Sequence, residues 1–117
     1  MLNQVVLVGR IVRDPEVKEL EDGKKVSNIT LAVPRSYKNA DGVYETDFID
    51  CSLWNGIALN TSEYCKQGDM VGIKGSLHTD SYEKDGKSIS KLNLIAERIT
   101  FLASPQRDSK VATAEAR

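Results

Sequence analysis

The chain has few of the residues on which most catalytic and metal sites depend. It contains one histidine and two cysteines. His78 has no evident nucleophile partner, and Cys51 and Cys65 offer too few ligands for a zinc site even with that histidine. No glycine-rich phosphate loop opens a helix. The sequence therefore predicts no enzyme activity, no catalytic residue, no metal ion and no cofactor, and it predicts that both thiols are buried and reduced.

Long apolar runs and an excess of positive charge are also missing. No segment is long and apolar enough to span a bilayer, and the first residues do not resemble a signal peptide, so we expect a cytoplasmic protein. The formal net charge is −1, whereas proteins that bind phosphate usually carry a basic excess. A local cluster of Lys and Arg is still sufficient to contact phosphates. For a polyanionic ligand, the charge balance predicts modest affinity and a shallow salt dependence.

Aromatic residues are scarce, at 6% of the chain, so their positions are informative. The segment T-D-F-I-D-C-S-L-W, which begins at residue 46, alternates as a strand does. Ile49, Cys51 and Leu53 can face a core only if Phe48 and Trp54 point outward. These two rings lie roughly 20 Å apart at the usual rise per strand residue. That spacing suits an extended ligand with several flat faces, such as single-stranded nucleic acid.

Alternation of apolar and polar residues elsewhere predicts a barrel. Gly9 indicates a bend in the first strand, Asp85-Gly86 a tight hairpin turn, and residues 37–45 a mobile loop. The predicted strands cover Leu2–Arg13, Val26–Arg35, Thr46–Trp54, Met70–Tyr82 and Ser88–Leu102, and a helix capped by Asn55 covers Ile57–Lys66. This order, with one short helix between the third and fourth strands, is that of the all-β, five-stranded OB-fold barrel. We expect one domain over residues 1–103 and a short disordered tail over 104–117.

Four aromatic residues are candidates for base stacking: Tyr37 at the start of the loop, Phe48 and Trp54 on the third strand, and Tyr82 at the end of the fourth. Stacking on such a ring contributes about 1 to 3 kcal/mol per base and tolerates any base. The alternative is that these rings cover a minor core against a loop or a neighbouring subunit.

Six basic residues lie in loops or at outward positions near these rings and are candidates for phosphate contacts. They are Arg10, Arg35, Lys38, Lys74, Lys84 and Lys87. Each alone is an ordinary solvated charge, and it is the set that favours a nucleic-acid partner.

Several ordered motifs resemble those of the bacterial single-stranded DNA-binding protein family. They are N-Q-V-V-L-V-G-R-I-V-R-D-P-E from Asn3, V-S-N-I-T-L-A-V from Val26, the segment from Thr46 quoted above, Y-C-K-Q-G from Tyr64 and the S-Y before the hairpin. The resemblance covers residues 1–102. It implies that the four candidate rings stack on bases, that the protein is a homotetramer whose first strands pair between subunits, and that it acts in DNA replication, recombination and repair.

The chain departs from this family where charge matters. Asn55-Gly56 follows Trp54 where relatives commonly carry Arg or Lys, Asp80 stands where an Arg is common, and Asp50 stands where the residue is usually neutral or basic. These changes are expected to weaken the electrostatic part of binding. Relatives often end in an acidic tail with an apolar tip that recruits partner enzymes. This chain ends T-A-E-A-R, so partners recruited in that way are not expected.

The functional hypothesis is therefore sequence-independent binding and protection of single-stranded DNA, with the protein associated with the nucleoid when it is bound to DNA. A second hypothesis is an OB-fold assembly subunit of a replication-restart complex, which would use the same aromatic face for protein contacts. A third is hydrolysis of nucleic acid, for which the sequence offers little support.

Overall fold

This computed structural model describes residues 2–104 of the chain. Within this range the chain forms six strands and one helix. The strands are β1 (Val5–Ile11), β2 (Lys18–Glu19), β3 (Lys25–Lys38), β4 (Tyr44–Trp54), β5 (Met70–Lys84) and β6 (Lys87–Ala103), and the helix is α1 (Asn55–Tyr64). No helix in this range is long and apolar enough to cross a membrane. The predicted disordered tail lies outside the described residues, apart from Ser104.

Five of the strands close into a barrel. The strand order in the sheet is β1-β5-β6-β4-β3-β2. A further pairing of β1 with β3 closes the barrel, and the short β2 lies outside it. Pairing is antiparallel except between β4 and β6, where Cys51 lies beside Leu94 in a parallel register. The predicted all-β barrel with one helix between its third and fourth strands is confirmed. The two-residue β2, which pairs with the start of β3, is an addition that the sequence did not indicate.

The barrel interior is filled by branched aliphatic side chains from all five barrel strands. Ala58 and Thr61 of α1 are also buried, and the helix contacts β3, β4 and β6. The fully buried aliphatic residues are Ile11, Leu31, Leu53, Val71, Ile73 and Leu94. Both cysteines are buried thiols, as predicted. Burial, with a smaller contribution from Asp50, raises the pKa of Cys51 to about 12, so this thiol stays protonated.

Gly9 allows β1 to serve both sides of the barrel, as its position in the sequence predicted. Residues on either side of it pair with β5, while Arg10 also pairs with Ala32 of β3. A Cβ at residue 9 would lie 2.8 Å from the carbonyl oxygen of Ala32 and 2.9 Å from Cγ2 of Val33. Only glycine therefore permits β3 to approach so closely.

The segment predicted as a mobile loop contains a shorter turn between two longer strands. β3 continues to Lys38 and β4 begins at Tyr44, so only residues 39–43 form the turn. Asn39 organises this turn, because its side-chain oxygen accepts hydrogen bonds from the backbone N–H groups of Asp41 (2.9 Å) and Val43 (3.0 Å). An asparagine that bonds the backbone ahead of it stabilises a tight turn.

Two further expectations were wrong. Asn55 does not cap the helix. It is the first helical residue and has a φ of 50°, and its side-chain oxygen accepts the backbone N–H of Lys25 at 3.1 Å instead. Alternation along the strand Met70–Tyr82 also predicts that Leu77 faces the core together with Val71 and Ile73, but Leu77 is exposed, because the β5–β6 hairpin extends beyond the barrel. The Asp85-Gly86 turn of this hairpin is confirmed, since both residues have positive φ and Lys84 pairs with Lys87.

Replacing Gly9 by alanine should destabilise the protein by about 1 to 3 kcal/mol, because the added methyl meets a backbone oxygen that cannot move alone. Gly56→Ala is the matched control. That site lies in α1 with nothing within 4 Å of an added Cβ, so stability should be unchanged or raised by up to about 1 kcal/mol. Urea unfolding followed by circular dichroism measures both changes. A Gly9→Ala protein as stable as the wild type would contradict this role.

Candidate nucleic-acid interface

Side chains alternate along β4, so that one face of the strand is buried and the other carries its aromatic residues. Leu53 and Cys51 are buried, whereas Phe48 is 65% exposed. Trp54, at the end of the strand where α1 begins, is half-buried. Both rings therefore lie on the outer face, as alternation predicted, and Trp54 is held more firmly than Phe48.

Cross-strand neighbours extend this outer face onto β3. Residues that pair directly across two strands present their side chains on the same face. Phe48 lies opposite Ala32, Asp50 opposite Thr30, Ser52 opposite Asn28 and Trp54 opposite Val26. Small or polar side chains on β3 leave room above the sheet, and an open groove of about 580 Å³ occupies part of it. Its lining residues from β3, β4 and β6 include Asn28, Thr30, Asp50, Trp54, Lys91 and Asn93.

An ion pair lies near the centre of the groove. Lys91 of β6 places its Nζ 3.0 Å from Oδ2 of Asp50, and the hydroxyl of Thr30 donates to Oδ1 of Asp50 at 3.1 Å. The hydrogen bond from Lys91, opposed by desolvation and supported by Thr30, lowers the pKa of Asp50. The carboxylate that the sequence analysis identified as a departure from the family therefore has its charge balanced locally.

A chain of neutral hydrogen bonds continues along the groove from this pair. Asn93 of β6 donates from Nδ2 to the hydroxyl of Ser52 at 2.7 Å, and that hydroxyl donates to Oδ1 of Asn28 at 2.9 Å. Ser52 is buried although it lies on the outer face, because Asn28 and Asn93 cover it. The groove floor between Asp50 and Trp54 is therefore polar and tied together across three strands.

The other two predicted rings lie at different distances from the groove. Tyr82 is 49% exposed and lies close enough to Lys91 to contribute to the raised pKa of that lysine, whose main cause is the hydrogen bond to Asp50. Tyr37 is 63% exposed and lies near Arg35, whose pKa is raised mainly by Asp47 and to a smaller extent by Tyr37. Of the four predicted rings, Trp54 lines the groove, Phe48 shares its face of β4, Tyr82 lies near Lys91, and Tyr37 lies on the β3–β4 hairpin.

Arg35 is occupied by two carboxylates. Its guanidinium donates to Asp47 at 3.0 Å and to Glu45 at 2.7 Å. Hydrogen bonding to Arg35 lowers the pKa of Asp47. Both carboxylates lie at odd-numbered positions of β4, whereas Phe48 lies at an even-numbered one. Because side chains alternate along a strand, the Arg35 cluster faces the side of β4 opposite to Phe48. A phosphate would have to compete with two anions for this arginine.

None of the remaining predicted cations lines the groove. Arg10 shares the face of Phe48, since it pairs with Ala32, and its Nη1 donates to the carbonyl of Gly68 at 2.9 Å. Lys38 lies 5.6 Å from the centre of the Tyr44 ring. Lys84 and Lys87 pair at the exposed tip of the β5–β6 hairpin. Lys74 pairs with Val6 of β1, away from the groove.

Sequence reasoning missed two cations that line the groove, Lys91 and Arg13. The two-residue turn at Asp85-Gly86 fixes the hairpin register and could have placed Lys91 opposite Asp80. Its contact with Asp50 had no local signal, because it depends on the parallel pairing of β4 with β6. Tyr44 was also passed over. It is exposed, and because it lies four residues before Phe48 on β4, its ring is on the same face of the strand.

A metal site is not indicated by the described part of the chain, where no three His, Cys, Asp or Glu residues are grouped so as to hold an ion. The groove offers the ring of Trp54, neutral hydrogen-bonding groups and one compensated ion pair, and Phe48 is exposed on the same face of β4. Such a surface can stack flat groups and hydrogen-bond their edges, which is the chemistry of unpaired bases.

Comparison with known proteins agrees with this chemistry. The profile of the "Single-strand binding protein family" matches residues 2–102. Single-stranded DNA-binding protein B of Bacillus subtilis is 40% identical over 109 residues, which cover 92% of this chain and 96% of that protein. The single-stranded DNA-binding protein of Halalkalibacterium halodurans is 43% identical over 103 residues, covering 87% of this chain and 61% of that protein.

A solved structure extends the comparison to the fold. The "Plasmodium falciparum SSB complex with ssDNA" superposes with a TM-score of 0.78 at 25% sequence identity, covering 87% of this chain and 96% of that chain. The predicted OB-fold is therefore confirmed, and the family resemblance found in the sequence is confirmed by the profile and the relatives.

Removing Lys91 should raise the pKa of Asp50 towards its ordinary value. In Lys91→Met the carboxyl of Asp50 loses its main stabilising hydrogen bond, whereas Asp47 keeps Arg35, so the titration of the Asp50 carboxyl resonance should shift in NMR and that of Asp47 should not. Arg35→Met is the matched control, in which the titration of Asp47 should shift and that of Asp50 should not. Because the folded-state pKa of Asp50 is depressed, the stability from the pair is present at neutral pH and is lost as the pH falls through that pKa.

The same titration can contradict the ion pair. An Asp50 carboxyl that titrates at the same pH in the wild type and in Lys91→Met would mean that the two side chains do not interact in solution.

Proposed function

Because the chain belongs to the single-strand binding protein family, we propose that it binds single-stranded DNA without sequence requirement and protects it during replication, recombination and repair. Residues 1–103 form the binding domain in this proposal. The protein is not a catalyst, and it works in the cytoplasm, associated with the nucleoid while on DNA. The observation that carries the proposal is the exposure of Phe48 beside the groove that Trp54 lines.

The charges around the groove support a binding mode dominated by stacking. Asp50 is compensated by Lys91 and Arg35 is occupied by Asp47 and Glu45, so neither site offers an unpaired positive charge to a phosphate. In the proposed mode, bases stack on Phe48, Trp54, Tyr82 and Tyr37. Phosphates are contacted by the outer cations Arg10, Lys38, Lys74, Lys84 and Lys87, with Arg35 the weakest candidate of the predicted set.

The alternative of a replication-restart assembly subunit would use the same face for protein contacts. The groove argues against it, because its floor is a chain of polar groups from Asp50 to Asn93. A face built for a protein partner would be expected to have an apolar centre instead. The similar solved structure from Plasmodium falciparum is a complex of that protein with single-stranded DNA. Both observations favour DNA.

Trp54 provides a direct binding assay. Oligo-dT added at low salt should quench its fluorescence through stacking, and Phe48→Ala should weaken binding by about 1 to 3 kcal/mol, which is roughly 5- to 150-fold. Tyr64→Ala is a matched control, since Tyr64 is also 65% exposed but lies on α1. It should leave affinity unchanged. Unaltered fluorescence with excess oligonucleotide at low salt would rule out the proposed function.

We also propose that the protein assembles as a homotetramer in which the β1 strands of two subunits pair. The outer face of β1 supports this, because Val6 and Val8 are exposed there, and Leu102 of β6 is exposed on the same part of the surface. Gly72, opposite Val8, carries no side chain to separate that valine from Leu102. A group of exposed aliphatic side chains along a strand favours association with another chain.

Val8→Glu should disrupt this assembly, because it places a charge in the apolar contact between subunits. Sedimentation equilibrium should then show a mass below that of the wild-type tetramer. Leu59→Glu is the matched control, since Leu59 is exposed to a similar degree but lies on α1, and it should not change the mass. A Val8→Glu protein with the wild-type mass would contradict assembly through β1.

A further inference from the structure

The groove between Phe48 and Trp54 contains a charged hydrogen-bond acceptor at the place where stacked bases would present their edges. Asp50 lies two residues from Phe48 and four from Trp54 on the same face of β4. Its side chain is 44% exposed. Stacking on rings to either side directs a base edge, rather than a base face, towards the floor between them.

Asp50 has capacity for more hydrogen bonds than the protein supplies. An ionised carboxylate offers about four lone-pair positions and no donor. Thr30 and Lys91 occupy two of them, at 3.1 Å and 3.0 Å. These contacts also hold the carboxylate in place and keep it ionised at neutral pH. The remaining positions face the groove, where a donor from a ligand can reach them.

The four bases differ in what they can give to such an acceptor. Cytosine, adenine and guanine carry exocyclic amino groups, and pairing of Asp or Glu with the cytosine N4 amino group is a known mode of base recognition. Thymine has no amino group, and its one N–H lies between two carbonyl oxygens that the carboxylate repels. A phosphate at this position would also be repelled.

We propose that Asp50 reads base edges and gives the groove a local preference for amino-bearing bases over thymine. This inference rests on the proposed binding of single-stranded DNA and refines it, because stacking tolerates every base while the carboxylate does not. Lys91 and Thr30 act as positioning residues that orient the acceptor. The hydrogen-bonded side chains of Asn93, Ser52 and Asn28 lie beside Asp50. They are neutral, so they add no charge that would favour one base over another.

The test compares oligo-dC with oligo-dT of equal length by competition against a labelled strand, above neutral pH so that cytosine is unprotonated at N3. In Asp50→Asn the preference for dC relative to dT should fall by about 10-fold compared with the wild type, since the charged acceptor becomes a neutral amide oxygen that holds the cytosine amino group less strongly. Asp47→Asn is the matched control. It removes the same charge from the same strand on the opposite face, and it should leave the ratio unchanged.

A second measurement uses the unaltered protein. Replacing cytosine by N4,N4-dimethylcytosine removes the amino donor, so wild-type affinity should fall while the affinity of Asp50→Asn changes little. If Asp50→Asn strengthens dC and dT binding equally, Asp50 acts only through its charge and the inference is overturned while the proposed function stands. If the wild-type protein binds neither oligonucleotide, the proposed function is overturned and this inference with it.

Discussion

The burial of Ile49, Cys51 and Leu53 on one side of β4 determines where Phe48 and Trp54 point, because successive side chains of a strand alternate between its faces. Cys51 and Leu53 are almost completely buried in the barrel, so the register of β4 cannot slip by one residue without exposing them. Everything on the outer face, including the groove and its ion pair, depends on this register. Gly9 allows β1 to pair closely with β3, the strand beside β4.

Charge on both faces of β4 is paired within the protein rather than left for a ligand. Lys91 compensates Asp50 on the outer face, and Arg35 is shared by Asp47 and Glu45 on the opposite face. The formal net charge of −1 agrees with such a surface. A strand of DNA would therefore gain most of its binding free energy from stacked bases, and the polar groove floor would contribute through hydrogen bonds to base edges.

Patterns among neighbouring residues predicted the features that depend only on the local backbone. The outward position of Phe48 followed from alternation, and the Asp85-Gly86 turn from the positive φ that such residues tolerate. The contact of Lys91 with Asp50 could not be predicted, because the parallel pairing that creates it joins residues 43 positions apart, such as Cys51 and Leu94. Asn55 was misassigned because an asparagine side chain can bond its own helix or a neighbouring strand, and only the fold decides between them. The role of Asn39 was also not predicted. Its side chain accepts two backbone hydrogen bonds and organises the turn of a segment that has no apolar periodicity.

The dependence of affinity on salt tests most directly whether stacking outweighs charge. We expect log K for a short oligo-dT to fall with log salt concentration with a slope of about −3 to −4, corresponding to about five neutralised phosphates of a single strand. Fluorescence quenching of Trp54 at saturating DNA should keep its full amplitude at high salt, because the ring is still stacked when DNA is bound. A slope of about −5 or steeper would contradict a binding mode dominated by stacking.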